Sequence, residues 1–277
     1  MYYQELCPVE PLSKLVKCLW IMEGGADSST DEERILPDGC AEIVFNLGDP
    51  FEQRHADGSR RRQPLTLLVG QMQRSLLIAP TGRVRLLGIR FWPGGAYPFL
   101  RLPQNEIANQ VIDLGAVWGS LARELQSRIA DARACTESAS HVETALLGRL
   151  NQFRSRDETV LAATGFILRT GGRLSIRELA GQMGINSRTL DRRFNERVGL
   201  SPKTLSRIVR FQQVFRMIQP RTIHRNEGIP DWARLAVECG YYDQPHFIKE
   251  FKTFAGKEPT SYFSETNAMS DHFTGAS

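Results

Sequence analysis

The feature that most constrains this chain is a repeat in its last third. Leu179, Ala180 and Gly184 recur 56 residues later as Leu235, Ala236 and Gly240. Leu190, Phe194, Gly199 and Pro202 recur 57 residues later as Phe247, Phe251, Gly256 and Pro259, and Leu205 is matched by Tyr262. Eight matched positions with one single-residue slip, where Tyr241-Tyr242 stands for Ile185, mean two copies of one supersecondary unit. Each copy reads as helix, glycine-containing turn, helix, the pattern of a helix-turn-helix. In the first copy Ser175 is placed to cap a helix that turns Ile176, Leu179, Ala180 and Met183 inward. Asn186 is placed to cap the next helix by accepting a backbone N–H. On that helix Leu190 and Phe194 lie four apart and face the core, so Ser187, Arg188, Asp191 and Arg192 fall on the outward side. In the second copy Asp243 is the cap and Phe247 and Phe251 are the core residues, which leaves Gln244, Pro245, Ile248 and Lys249 outward. Pro245 falls in the first helical turn, where its missing N–H costs little.

The connector Pro202–Gln219 carries Leu205, Val209, Val214 and Ile218 near helical spacing. At ~1.5 Å per residue it makes a rod of roughly 27 Å. A spacer of that order can hold two exposed helices close to ~34 Å apart, one turn of duplex. Charge follows the same division. From Gly171 to Gln219 there are ten Lys+Arg against three Asp+Glu, whereas from Pro220 to Thr260 the count is six against six. Arginine on an outward helical stripe has a planar fork that can donate two hydrogen bonds to guanine in the major groove. A helical bundle used only for packing explains neither the duplication nor the local excess of positive charge. The expected site is therefore a DNA-binding one made of Ser187, Arg188, Asp191, Arg192, Gln244, Pro245, Ile248 and Lys249, with double-stranded DNA as partner.

The run Leu179-Ala180…Gly184…Asn186-Ser187-Arg188-Thr189-Leu190-Asp191-Arg192-Arg193-Phe194…Gly199…Ser201-Pro202-Lys203…Arg210-Phe211 resembles the DNA-binding domain of the AraC/XylS transcription regulators. So does Gly240-Tyr241…Asp243…His246-Phe247…Glu250-Phe251-Lys252…Gly256…Pro259. The resemblance covers about Glu158–Phe263 and departs from the usual pattern at Trp232-Ala233-Arg234-Leu235, Pro245 and Ile248. It implies that the outward positions meet bases, that the effect is activation, and that RNA polymerase is a partner. The N-terminal half is similar to a domain that precedes this module in some family members, through Leu36-Pro37-Asp38-Gly39, Glu42-Ile43-Val44-Phe45, Gly70 and Gly88-Ile89-Arg90-Phe91-Trp92-Pro93-Gly94-Gly95-Ala96. That resemblance implies no particular signal.

Up to about Gln104, short β-rich runs (Ile43–Leu47, Leu65–Val69, Ser75–Ile78, Val84–Trp92) alternate with turn residues, and Glu52–Gln63 reads as an exposed hairpin loop. Leu114, Val117, Leu121, Leu125 and Ile129 then recur at helical spacing, and Val142, Leu146 and Leu150 mark a second helix after a polar loop at Asp131–Ser140. The stripe from Leu114 to Ile129 serves either as a self-association surface or as packing onto its own domain. A third helix from about Val160 ends at Gly171-Gly172. The expected fold class is α+β: an N-terminal β-barrel-like domain with a helical extension over 1–155, and an all-α double helix-turn-helix domain over 156–264. A disordered tail is expected over 265–277.

Other functions are weighed on the same residues. Five cysteines without a C-x-x-C pair point to reduced thiols rather than a disulfide framework. A thiol-reactive or repair-type sensor using Cys7, Cys18 or Cys40 is the alternative to small buried thiols. Residues 1–140 hold one histidine, His55, too few for a barrel-type metal centre. No enzyme activity and no cofactor are expected. Asp38 and Glu42 read either as hydrogen-bonded structure or as ligand contacts, Phe91, Trp92, Tyr97 and Phe99 as core rather than pocket wall, and His246 as structural. No apolar run reaches the ~18 residues of a membrane span, and the first residues lack the basic and apolar pattern of a secretory signal. The expectation is a cytoplasmic regulator without membrane contact, with a small-molecule effector and a homodimer among its partners.

Overall fold

A computed structural model describes residues 1–25, 32–153, 158–218 and 231–264. The tail from 265 and the expected boundary at 154–157 lie outside the described residues. In the N-terminal half, β1 (Tyr2–Leu6), β2 (Val16–Gly24), β4 (Glu42–Asn46), β7 (Thr66–Val69), β9 (Val84–Phe91) and β10 (Val111–Asp113) pair antiparallel in the order β1-β2-β9-β4-β7-β10. A second antiparallel sheet runs β3-β8-β5-β6, built from β3 (Glu33–Ile35), β5 (Phe51–Arg54), β6 (Arg60–Arg62) and β8 (Leu76–Pro80).

Period-two side-chain alternation explains the layers. On β2, Cys18, Trp20 and Met22 point to the second sheet, where they meet Phe51, Leu76 and Ile78. Leu19 and Ile21 point the other way, onto helices. A bulge between Val16 and Cys18 lets Val16 share the face of Leu19. β2 is buried on both faces and reads as a continuous apolar run without alternation, and it is absent from the expected strands. Gly88 on β9 lies directly under the Trp20 ring, where a side chain would collide with it. The expected barrel-like domain is thus an open two-sheet arrangement, since neither sheet closes on itself. The run Glu52–Gln63, expected to be an exposed hairpin loop, instead forms the paired strands β5 and β6 around a short turn, with Arg60, Arg61 and Arg62 exposed.

Helices α1 (Tyr97–Leu100), α2 (Gly115–Trp118), α3 (Ser120–Asp131) and α4 (Cys135–Asn151) cover the outer face of the larger sheet. The single helix expected from Leu114 to Ile129 is broken at Gly119, whose φ of 61° only glycine adopts readily. Its apolar stripe is not a self-association surface. Leu125 and Ile129 are 2% and 0% exposed, inside the same apolar cluster as Ile43, Phe45 and Ile89 of their own domain. The polar loop is also shorter than expected, because α4 already starts at Cys135.

The C-terminal half is helical: α5 (Glu158–Arg169), α6 (Ile176–Gln182), α7 (Ser187–Arg197), α8 (Pro202–Met217), α9 (Trp232–Glu238), α10 (Gln244–Ala255) and α11 (Pro259–Phe263). Leu179, Leu190, Phe194, Val209, Phe211, Phe247 and Phe251 form one continuous core with them. That core also takes in Leu36, from the loop between β3 and β4.

Candidate nucleic-acid interface

Local chemistry fixes both units. Ser175 Oγ accepts from the Glu178 N–H at 3.2 Å, and Glu178 Oε2 accepts from the Ser175 N–H at 3.1 Å, a reciprocal cap that satisfies two orphan donors at the start of α6. Asn186 Oδ1 accepts from the Thr189 N–H at 2.8 Å and starts α7. Asp243 Oδ1 accepts from the His246 N–H at 2.8 Å and starts α10 in the same way. The turns rest on Gly184 and Gly240, both with positive φ (65° and 84°). Leu190, Phe194, Phe247 and Phe251 are fully buried.

With those faces inward, Arg188, Asp191 and Arg192 stand exposed on α7 and Ser187 is half-buried. Among the described residues neither Arg188 nor Arg192 has an ion-pair partner, so both forks are free to meet an acceptor. On α10 Pro245 and Lys249 are exposed and Gln244 is half-buried. Ile248 differs from the sequence expectation: it is half-buried and packs against the helical core.

Much of the basic excess is occupied inside the module. Arg173 donates to the Glu238 carbonyl, Arg207 Nε meets Glu250 Oε1 at 2.5 Å, and the Arg210 guanidinium lies over the Tyr241 ring at 5.7 Å. These three arginines tie the first unit and α8 to the second. The sequence count treats them as surface charge. Arg177, Arg188, Arg192, Lys203 and Arg216 are the exposed remainder of the ten that precede residue 220.

A family profile described as a helix-turn-helix domain matches residues 179–265. The module is an AraC-type helix-turn-helix domain. A second profile, a domain of unknown function designated DUF6597, matches residues 4–113. No curated protein matches the chain. Among solved structures, ToxT from Vibrio cholerae is similar with a TM-score of 0.47 at 10% identity, covering 95% of this chain and 98% of that one. An unsaturated-fatty-acid-bound ToxT from strain SCE256 gives 0.47 at 12% identity, covering 88% and 93%.

The N-terminal half holds the AraC-type domain at equivalent places in its two units, and sequence reasoning missed these contacts. Gly199 and Gly256 end the exposed helices of the first and second unit. Gly199 lies against the Gln104 backbone, so close that a Cβ there would come within 2.7 Å of the Gln104 carbonyl oxygen. Gly256 lies against Arg34 and Ser75, whose side chains both donate to the Ala255 carbonyl, at 2.9 and 3.3 Å. The Ser75 N–H donates to the Phe254 carbonyl at 2.9 Å. Between them the Leu36–Gly39 loop sits on α8, where Gln212 Nε2 donates to the Pro37 carbonyl at 2.6 Å. Tyr97, expected in the core, instead faces the AraC-type domain, with the Arg197 guanidinium 4.0 Å from its ring centroid. Only the repeat register hinted at this: Gly199 and Gly256 match, and both are needed as glycine.

Asp38 and Glu42 are both ion-pair partners of Arg90. Arg90, almost fully buried, places Nε 2.5 Å from Glu42 Oε1 and 3.6 Å from Asp38 Oδ2, while Asp38 Oδ1 accepts from the Cys40 N–H at 2.9 Å. Cys18 and Cys40 are buried, and burial pushes the Cys18 thiol up to about 12 and the Cys40 thiol well above its ordinary range. A thiol so protonated is a poor nucleophile, which removes two of the three cysteines of the alternative reading; Cys7 is exposed. His246 is structural, 3.6 Å from Glu250 and edge-on to Tyr241.

Proposed function

We propose that the chain is a sequence-specific transcription regulator that reads double-stranded DNA with α7 and, more weakly, with α10. The observation that carries this reading is the exposed pair Arg188 and Arg192, one helical turn apart on a capped, rigid helix of a repeated unit. Two such forks on one face can grip successive guanines in the major groove. Ser187 and Asp191 flank them, while Gln244, Pro245 and Lys249 give the second helix a smaller polar and apolar footprint. Ile248 contributes through packing. In this reading the regulator acts in the cytoplasm and activates through contact with RNA polymerase. The N-terminal half serves as the effector-sensing part, since it grips both units and the helix between them and so can set the separation of the two reading helices. A homodimer is then an addition to, rather than a condition for, two-site reading by one chain.

Selection of the full chain against a randomised duplex library tests the reading. The expected product is a bipartite site whose halves lie about one helical turn apart, with affinity that falls steeply with salt through counterion release. Failure to enrich any sequence, with binding indifferent to Arg188→Ala and Arg192→Ala, overturns it.

A further inference from the structure

Between the two N-terminal sheets lies a cavity of about 80 Å³ that opens to solvent. Its walls are apolar, with Trp20, Val44, Phe51, Leu67, Leu76 and Ile78 prominent, and its polar lining residues are Glu42, Asn46 and Gln63. The lining is that of a small-molecule site, apolar with few placed polar groups. The charge around Glu42 is unbalanced. One guanidinium, Arg90, faces Glu42 at 2.5 Å, Asp38 at 3.6 Å and Glu5 at 4.0 Å, three carboxylates to one cation, with Lys17 at longer range. Burial holds the Glu42 carboxyl above its ordinary range despite Arg90, so the cations present do not fully stabilise its charge.

We propose that this cavity binds a small, predominantly apolar molecule bearing an ammonium-type cation, with the apolar body between the sheets and the cation on Glu42. This rests on the effector-sensing reading above and gives it a ligand class. The cavity is also built from the strands that hold the DNA-binding domain. Ile35 and Leu76 line it, and their neighbours Arg34 and Ser75 bond the end of α10. Glu42 shares Arg90 with Asp38, in the loop that sits on α8. A molecule that spreads the sheets or competes for Glu42 therefore acts on both attachments.

The test is calorimetric titration of the full chain with primary amines, hexylamine and phenethylamine, against the matched alcohols hexanol and phenylethanol and against phenylacetate. The expected order is amine over alcohol by at least about tenfold, consistent with a charge-assisted contact in a partly desolvated site, with phenylacetate not bound. Glu42→Gln should remove the amine preference while alcohol binding persists. Val69→Trp, which fills the cavity from the β7 side, should remove both, and thermal unfolding checks that each variant is folded. Should one variant not fold, the other still decides. Saturating amine should also change DNA affinity at least about fivefold. Equal binding of amine and alcohol, no binding of any probe, full amine binding by Val69→Trp, or unchanged DNA affinity with amine bound each overturns the proposal. DNA affinity without amine is measured alongside: its absence defeats the regulator reading, whereas intact DNA binding with no amine response defeats this proposal alone.

Discussion

In the first helix-turn-helix unit the outward positions are Ser187, Arg188, Asp191 and Arg192, and the residue after them, Arg193, donates to Thr159 at 3.4 Å. In the second unit the matching positions are Gln244, Pro245, Ile248 and Lys249, and the residue matching Arg193 is Glu250, buried against Arg207 and His246. Their cores differ in the same sense. Phe251 lies within 5.2 to 6.0 Å of Phe211, Phe215, Phe247, Tyr262 and Phe263, an aromatic cluster. Phe194, in the same apolar core, has no such ring partner among the described residues. One helix-turn-helix plan with matching cap hydrogen bonds thus carries two chemistries: the first unit presents charge outward, and the second draws charge and aromatic rings inward and fastens the module together. The difference teaches that helix-turn-helix geometry alone does not assign base reading; the fate of each arginine does.

The largest expected effect lies in the cores. Phe251→Ala should cost about 4–5 kcal/mol and Phe194→Ala about 3 kcal/mol, since both leave cavities but only the first also loses ring-on-ring contacts. Urea denaturation of the full chain measures both, and a larger loss at Phe194 would break the contrast between an anchoring and a reading unit. Next comes the charge that the second unit buries. Arg207→Ala leaves Glu250 with His246 alone and should cost about 2–3 kcal/mol, below the usual loss for breaking a fully buried pair because Arg207 is 30% exposed. Adding Glu250→Gln should recover most of it; a double variant as unstable as the single one would show that the pair is not what ties α8 to α10.

DNA affinity sharpens the comparison at smaller magnitude. Arg192→Ala should cost about 1–3 kcal/mol and relax preference at one or two base pairs. Lys249→Ala, at the matching position, should cost less and act nearly uniformly across sequences, as loss of a phosphate contact does. Titration of both against a half-site library reads this directly, and the assignment of roles fails if Lys249→Ala alone erases a base preference. Smallest and most equal are the caps. Asn186→Ala and Asp243→Ala should each cost about 1 kcal/mol, because both accept a backbone N–H at 2.8 Å; a large inequality would break the likeness of the two caps.

The C-terminal half was legible because its signals are local. A cap residue, a positive-φ glycine and two apolar residues four apart define a helix-turn-helix within some twenty residues, and the duplication states it twice. The N-terminal half was less so. β2, buried on both faces, carries no alternation to read, and the break at Gly119 escaped because Leu114 to Ile129 keeps helical spacing across it. That same stripe could not reveal its partner: an apolar face is written identically whether it meets its own sheet or another chain.

By itself, then, the sequence determined the repeated units, their caps, their inward faces and the presence of a helix between them, which ends at Met217 rather than Gln219, since each depends on side chains a few residues apart. Only the tertiary structure decided which arginines remain available. Arg173, Arg207 and Arg210 look like Arg188 and Arg192 in sequence, yet they close onto Glu238, Glu250 and Tyr241 across gaps of 31 to 65 residues. It alone joined Gln104, Arg34 and Ser75 to the ends of α7 and α10 and placed Glu42 in a cavity between sheets. Such contacts depend on how distant segments fold against one another, and no periodicity along the chain encodes the partner that a surface will meet.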